Sequence, residues 1–186
     1  MTLEEARAAL QEARPSFYQY PFPVKVYIHW TAGHYGQAYN DYHFCIDQDG
    51  SITNTRQLTE VPTATYHRNT GSIAIALEGC AGAAAYANKT CRLGDEPITD
   101  AQIEACAQLM AVIADVFGIP IDIEHFLTHE EAADNMDGYN YHEPYGYYHG
   151  CERWDLIVLH EDDEWGSGGD TLRGKAIFYQ QIAWGL

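Results

Sequence analysis

The sequence predicts an α/β fold, a mixed central β-sheet with helices packed on it. Three observations predict it. Short runs rich in β-branched and aromatic residues occur at Val24–Trp30, Tyr42–Arg56 and Ser72–Gly79; a helical period runs from Ala101 to Gly118; and strands and helices interleave along the chain. At 186 residues the chain has the length of one domain and can bury about 70% of its unfolded surface. We therefore expect one domain over 1–186, divided into an N-terminal helix and linker (1–20), a core (24–156) and a C-terminal extension (157–186).

In chain order, LEEARAALQEA from Leu3 to Ala13 holds strong helix formers and no Gly or Pro, so a short helix is expected there. Pro15, Pro21 and Pro23 then predict an extended link. VKVYIHW alternates, with Val24, Val26 and Ile28 on one face and His29 on the other, near the strand's end. Asp49-Gly50, between two short β-like runs, signals a hairpin. SIAIALEG is apolar over a strand's length and suits a central strand. In the helix that follows, Ile103, Cys106, Met110 and Ile113 repeat at helical spacing, with Asp100 as the expected cap and Gly118 as the stop. IDIEHFLTH, Ile121 to His129, reads as a further strand ending in a histidine. Glu130–Glu152 shows no sustained period and reads as a long surface loop. Gly166–Asp170 reads as flexible, and Thr171–Trp184 as a final helix.

Composition excludes several functions. Ten Lys and Arg against 27 Asp and Glu give −17, and protonating all nine histidines brings this only to −8. Such a chain is repelled by nucleic-acid phosphates and by anionic membrane surfaces. No apolar run reaches the length of a membrane span, and the start has neither a basic segment nor an apolar core, so no membrane insertion and no secretory signal peptide are expected. The five cysteines form no CxxC pair, which argues against a disulfide scaffold or a zinc ribbon and for buried thiols in a reducing interior. Cys80 and Cys91 could bridge a loop in an oxidising location.

Nine histidines and fourteen tyrosines lean toward metal and polar-ligand chemistry. A catalytic zinc takes three protein ligands and leaves one position for water, and ligands are best fixed at strand ends. His29 and His129 close expected strands, and Asp155 follows in RWDL. Each could equally be a hydrogen-bonded polar residue at a strand end.

The strings YIHWTAG, DYHFCIDQDGSI, TYHRNTGSIAIALEG, LTHEEAA and RWDL, in this order over about 70% of the chain, resemble the zinc-dependent N-acetylmuramoyl-L-alanine amidases of type 2, relatives of the peptidoglycan recognition proteins and of phage amidase lysozymes. The resemblance implies that family's fold, one Zn2+ per chain, and a peptidoglycan or muropeptide substrate cut between N-acetylmuramic acid and L-alanine. It implies His29, His129 and Asp155 as metal ligands, with Cys151 a rival for the third place. It implies Tyr42 as the residue that orients or deprotonates the attacking water, and Arg153 as the holder of the developing oxyanion. His67, Trp30, Thr31 and Glu78 are the expected substrate-binding residues, and His43 a packing residue. Two positions depart from the family pattern. Ala76 stands where many members carry a glutamate base, with Glu78 one strand repeat further on as a possible substitute; and Arg153 stands where lysine is common. The Tyr-rich loop, with Tyr139, Tyr141, Tyr145, Tyr147 and Tyr148, is expected to wall the substrate groove, and His142 and His149 to be solvated. A phage or prophage endolysin, made in the cytoplasm and acting on the wall after release, is the expected role, with cytoplasmic muropeptide recycling as the other. A non-catalytic peptidoglycan-binding module and a Cys–His peptidase using Cys151 or Cys45 are the competing classes.

Overall fold

A computed structural model describes residues 1–144 and 152–185. Five strands form the main sheet: β1 (Lys25–Trp30), β2 (Phe44–Ile46), β3 (Ile52–Asn54), β4 (Ser72–Leu77) and, after a two-stranded ribbon of β5 (Ala84–Ala85) and β6 (Cys91–Arg92), β7 (Phe126–Thr128). Their order is β3-β2-β4-β1-β7. β2, β4, β1 and β7 run parallel, and β3 returns antiparallel from β2, so the sheet is mixed as expected. SIAIAL is the middle strand and is buried along its whole length, which is why it reads as an unbroken apolar run. The Asp47–Ser51 turn joins β2 to β3, with Gly50 at φ +84°, a conformation open to glycine.

The parity of β1 separates two faces. Val26 and Ile28 join a core that also takes in Ile73, Ile75 and Leu77 of β4, together with the helices α1 (Leu3–Phe17) and α2 (Asp100–Phe117). Tyr27 and His29 point to the other face, where Tyr27 packs with Leu127 and Ala132. On that face β4 carries Ser72, Ala74 and Ala76, the last two level with Tyr27 and His29, and these small residues leave room beside the histidine.

Four sequence expectations need correction. α1 continues through Pro15 to Phe17. A proline in the last turn removes only the bond to the exposed Gln11 carbonyl, which water can satisfy, and the buried Ala13 and Phe17 hold the turn down. The cap of α2 is Thr99: its hydroxyl accepts from the Gln102 amide while the Gln102 side chain accepts from the Thr99 amide, which makes Asp100 the first helical residue. Only Phe126–Thr128 of the run ending at His129 is strand. Asp122 caps a turn before it, and His129 opens the short helix α3 (His129–Ala133). Last, α4 spans Gly168–Trp184 and takes in most of the stretch read as flexible. Gly168 and Gly169 are there for close approach, since a Cβ would collide with the Leu156 carbonyl at one and the Glu131 carboxylate at the other.

α4 packs on α2, and its Arg173 binds the Glu131 carboxylate with both terminal nitrogens (2.8 and 2.7 Å). Glu131 also accepts from the Thr128 amide as part of the α3 capping box. The turn that carries His129 is thus fixed from behind by a buried, bidentate ion pair.

Candidate metal centre

β1 delivers His29 and α3 delivers His129, while the segment after residue 151 brings Asp155. Their donor atoms meet. His29 Nδ1 lies 3.1 Å from His129 Nδ1, and Asp155 Oδ2 lies 3.2 Å from His129 Nδ1 and 3.6 Å from His29 Nδ1. Among the described residues this is the group with the spacing and chemistry to hold a metal ion. Ligands of a tetrahedral zinc, with bonds near 2.0–2.1 Å, stand about 3.3 Å apart, which these separations match.

The far side of each imidazole is also engaged. Glu143 Oε1 is 2.6 Å from His129 Nε2, and a carboxylate only accepts, so Nε2 carries the hydrogen. Thr65 Oγ1 is 3.0 Å from His29 Nε2 and can accept from it in the same way. Both Nδ1 lone pairs then face one point, beside a carboxylate. Such a group needs a cation. Without a metal it is a proton: burial opposes the charge on His129, but Asp155 and Glu143 outweigh burial and raise its pKa to about 9. Burial dominates at His29 and lowers it to about 4. At Asp155 burial works against ionisation, yet the two imidazoles hold the carboxyl far below its usual range. A metal ion can replace that one proton.

The cluster lines a cavity of about 340 Å³ together with Trp30, Thr31, Tyr42, Cys80 and Arg153. A second cavity, of about 270 Å³, adjoins it across Ala64, His129 and Arg153 and is lined by Tyr66, Asn69 and Pro144. Tyr42 sets its ring 5.2 Å from that of His29. Burial and the nearby Asp155 carboxylate raise its hydroxyl pKa well above the usual value, so it keeps its proton.

The remaining expected site residues are placed variously. Trp30 packs edge-on against Trp154 (4.5 Å) and forms a rigid wall. Thr31 turns its hydroxyl to the backbone, accepting from the amides of Gly33 in its own loop and Gly79 after β4. His67, at φ +55°, leaves the metal cluster and stacks on Tyr141 (4.6 Å) in a separate cavity of about 330 Å³, shared with Phe22, Lys25, Tyr27, Arg68 and Tyr139. Glu78 lines none of these cavities. It is buried under the Gly36–Gln37 backbone near Asp47. The expected loop wall is therefore divided: Tyr139 and Tyr141 serve the separate cavity, and Tyr145, Tyr147, Tyr148, His149 and Cys151 lie outside the described residues. His142 is exposed and pairs with Glu152 (2.8 Å). His43 is buried away from the cluster, accepting from the Ala74 amide at Nδ1 and donating from Nε2 to the Glu60 carbonyl (2.9 Å). The four described cysteines are buried free thiols, Cys80 and Cys91 among them, and burial pushes Cys45 up to about 11, away from the thiolate a nucleophile needs.

Sequence reasoning missed Thr65 and Glu143. The one signal for Glu143 was an acid in front of a proline, His142-Glu143-Pro144, inside an otherwise Tyr- and Gly-rich loop.

A mixed sheet that presents two imidazoles and a carboxylate at an open cavity has the donor set of a metal-dependent hydrolase. The chain belongs to the N-acetylmuramoyl-L-alanine amidase family of type 2, whose profile matches residues 19–142, about two thirds of its length. No curated protein matches it. Among solved structures it is similar to the Ph2119 endolysin of a Thermus scotoductus MAT2119 bacteriophage (19% identity, TM-score 0.44, 59% of this chain and 72% of that one). It is similar to the endolysin amidase LysCS of Clostridium intestinale URNW (19%, 0.44, 59% and 70%), and to the Drosophila peptidoglycan recognition protein SA (17%, 0.37, 60% and 69%). Among the described residues no helix is long and apolar enough to cross a membrane.

Proposed function

We propose that this chain is a zinc-dependent amidase that hydrolyses the bond between N-acetylmuramic acid and L-alanine in peptidoglycan, with His29, His129 and Asp155 as the metal ligands. The observation that carries this reading is the convergence of those three donors, at 3.1–3.6 Å, in a chain of the amidase family. Three donors at an open cavity leave a coordination position free, which a catalytic site keeps and a structural site closes.

When bound, zinc would polarise the scissile carbonyl and acidify a water. The chain's own residues supply the rest. Tyr42, protonated and beside His29, donates a hydrogen bond and so orients the attacking water rather than deprotonating it. Arg153 puts a permanent positive charge on the cavity wall, where it stabilises the developing oxyanion, but it cannot deliver a proton to the leaving amine. The two cavities meet across Ala64, His129 and Arg153, which leaves room for a substrate that extends past the metal cluster.

Metal analysis of the purified protein tests the reading. We expect about one zinc per chain, loss of wall-lytic activity on chelation, and its return with zinc. Full activity in metal-free protein, or inhibition by a thiol alkylating agent alone, would reject it. Clearing of intact cell-wall suspensions is expected of an endolysin; activity confined to soluble muropeptides would favour recycling.

A further inference from the structure

Glu143 has no catalytic role in the reading so far, yet it is buried and touches a candidate ligand directly. It is 7% exposed, although it lies in a loop. One oxygen meets His129 Nε2 at 2.6 Å, the other meets Arg153 Nε at 2.7 Å, and its own amide donates to the Glu152 carboxylate. The dipeptide Glu152-Arg153 therefore grips Glu143 at both ends, and Asp155 follows two residues later. A buried carboxylate is stable only when its lone pairs are matched, and among the described residues the matches are His129 and Arg153.

We infer that Glu143 is a positioning residue for the metal centre, and that Arg153 acts on metal retention through it. The carboxylate fixes the Nε2–H form of His129, which leaves Nδ1 free to ligate, and raises the basicity of that ring. Arg153 holds the carboxylate in line and offsets its charge. The ion pair also links two ligands: the residue that steadies Glu143 precedes Asp155 by two positions, so His129 and Asp155 are set as one unit. On the other ring Thr65 offers a neutral hydroxyl, so the two ligands differ in the strength of their support. The inference rests on the proposed metal site.

The test is zinc affinity, measured by competition with a chelating indicator on the purified full chain, together with the visible spectrum of the Co2+-loaded protein and the melting temperature. Glu143→Gln keeps the size and an acceptor but loses the charge. It should weaken zinc binding about 10–100-fold and shift the Co2+ bands, with the metal-free melting temperature little changed. Arg153→Gln, at a partly exposed position, should weaken it less, and the double variant should be no weaker than Glu143→Gln alone. Wild-type affinity in a folded Glu143→Gln protein would overturn the inference, and additive losses would overturn the route through Glu143. Should Glu143→Gln not fold, Arg153→Gln decides by the same affinity measurement, an unchanged value overturning the inference. Failure of the wild-type chain to bind zinc is a different result, and removes the metal reading itself.

Discussion

His29 and His129 present the same atom to the same point, but two different kinds of structure hold them there. His29 sits at the end of β1, a strand paired on both sides, and its second nitrogen meets a neutral hydroxyl from Thr65. His129 opens a helix of five residues, braced behind by the Glu131–Arg173 pair and in front by the Glu143–Arg153 pair. A sheet fixes a side chain through backbone hydrogen bonds that any sequence can make. A short helix at the end of an edge strand has few of these, and side-chain ion pairs drawn from distant positions do the same task. The candidate ligand on the sheet should therefore tolerate loss of its outer partner, and the one on the short helix should not.

The largest effects should come from the ligands themselves. His29→Ala, His129→Ala and Asp155→Ala should each abolish zinc retention and lower activity at least about 10³-fold, since the metal's contribution is several kcal/mol, while the fold survives. Cys151→Ser should keep the metal; zinc loss there and retention in Asp155→Ala would exchange the two assignments.

Next in size is Tyr42. Tyr42→Phe should lower kcat about 10²-fold with little change in KM, because the hydroxyl acts on the water rather than on the bound substrate. Glu78→Gln, outside the cavity, should change kcat hardly at all. Steady-state kinetics on both variants decides, and a severe Glu78→Gln with a mild Tyr42→Phe would return the base role to Glu78.

A third expectation concerns the sheet away from the metal. Burial lowers the pKa of His43 to about 4, despite its bond to the Glu60 carbonyl. The unfolded chain, with an ordinary imidazole near 6.5, therefore takes up the proton first as the pH falls. Stability is lost between about pH 6.5 and 4, by on the order of 3 kcal/mol from this residue. Denaturant melts should show a smaller acid loss in His43→Gln than in the wild type; equal losses would mean that His43 is not the source.

The smallest effect bears on the comparison most closely. Thr65→Val removes a neutral hydrogen bond worth about 0.5–1.5 kcal/mol, so zinc affinity should fall only about 2–10-fold. An effect larger than that of Glu143→Gln would reverse the ranking of the two supports.

The same contrast accounts for what could be read from the sequence. The parity of VKVYIHW and the apolar run SIAIAL reflect strands whose two faces are set by neighbours, so the place of His29 was legible. The family resemblance marks His129 as a candidate ligand, but the sequence reads it as the end of a strand, not as the start of a helix. That helix depends on a capping box closed by Glu131, which Arg173 holds from 42 residues away. Glu143 and Thr65 carry no periodic signal, because loop residues are placed by partners distant in sequence. His67 and the tyrosines read as groove residues, and Tyr139 and Tyr141 line a cavity with His67, though not the one at the metal cluster.

The central claim, that this site cuts the muramoyl–alanine amide, is tested most directly by mass spectrometry of purified peptidoglycan after incubation with the zinc-loaded protein. The account predicts release of intact stem peptides with a free L-alanine amine and glycan strands with unmodified lactyl carboxylates. Stem peptides still joined to muramic acid, with new cuts in the glycan or within the peptide, would contradict it.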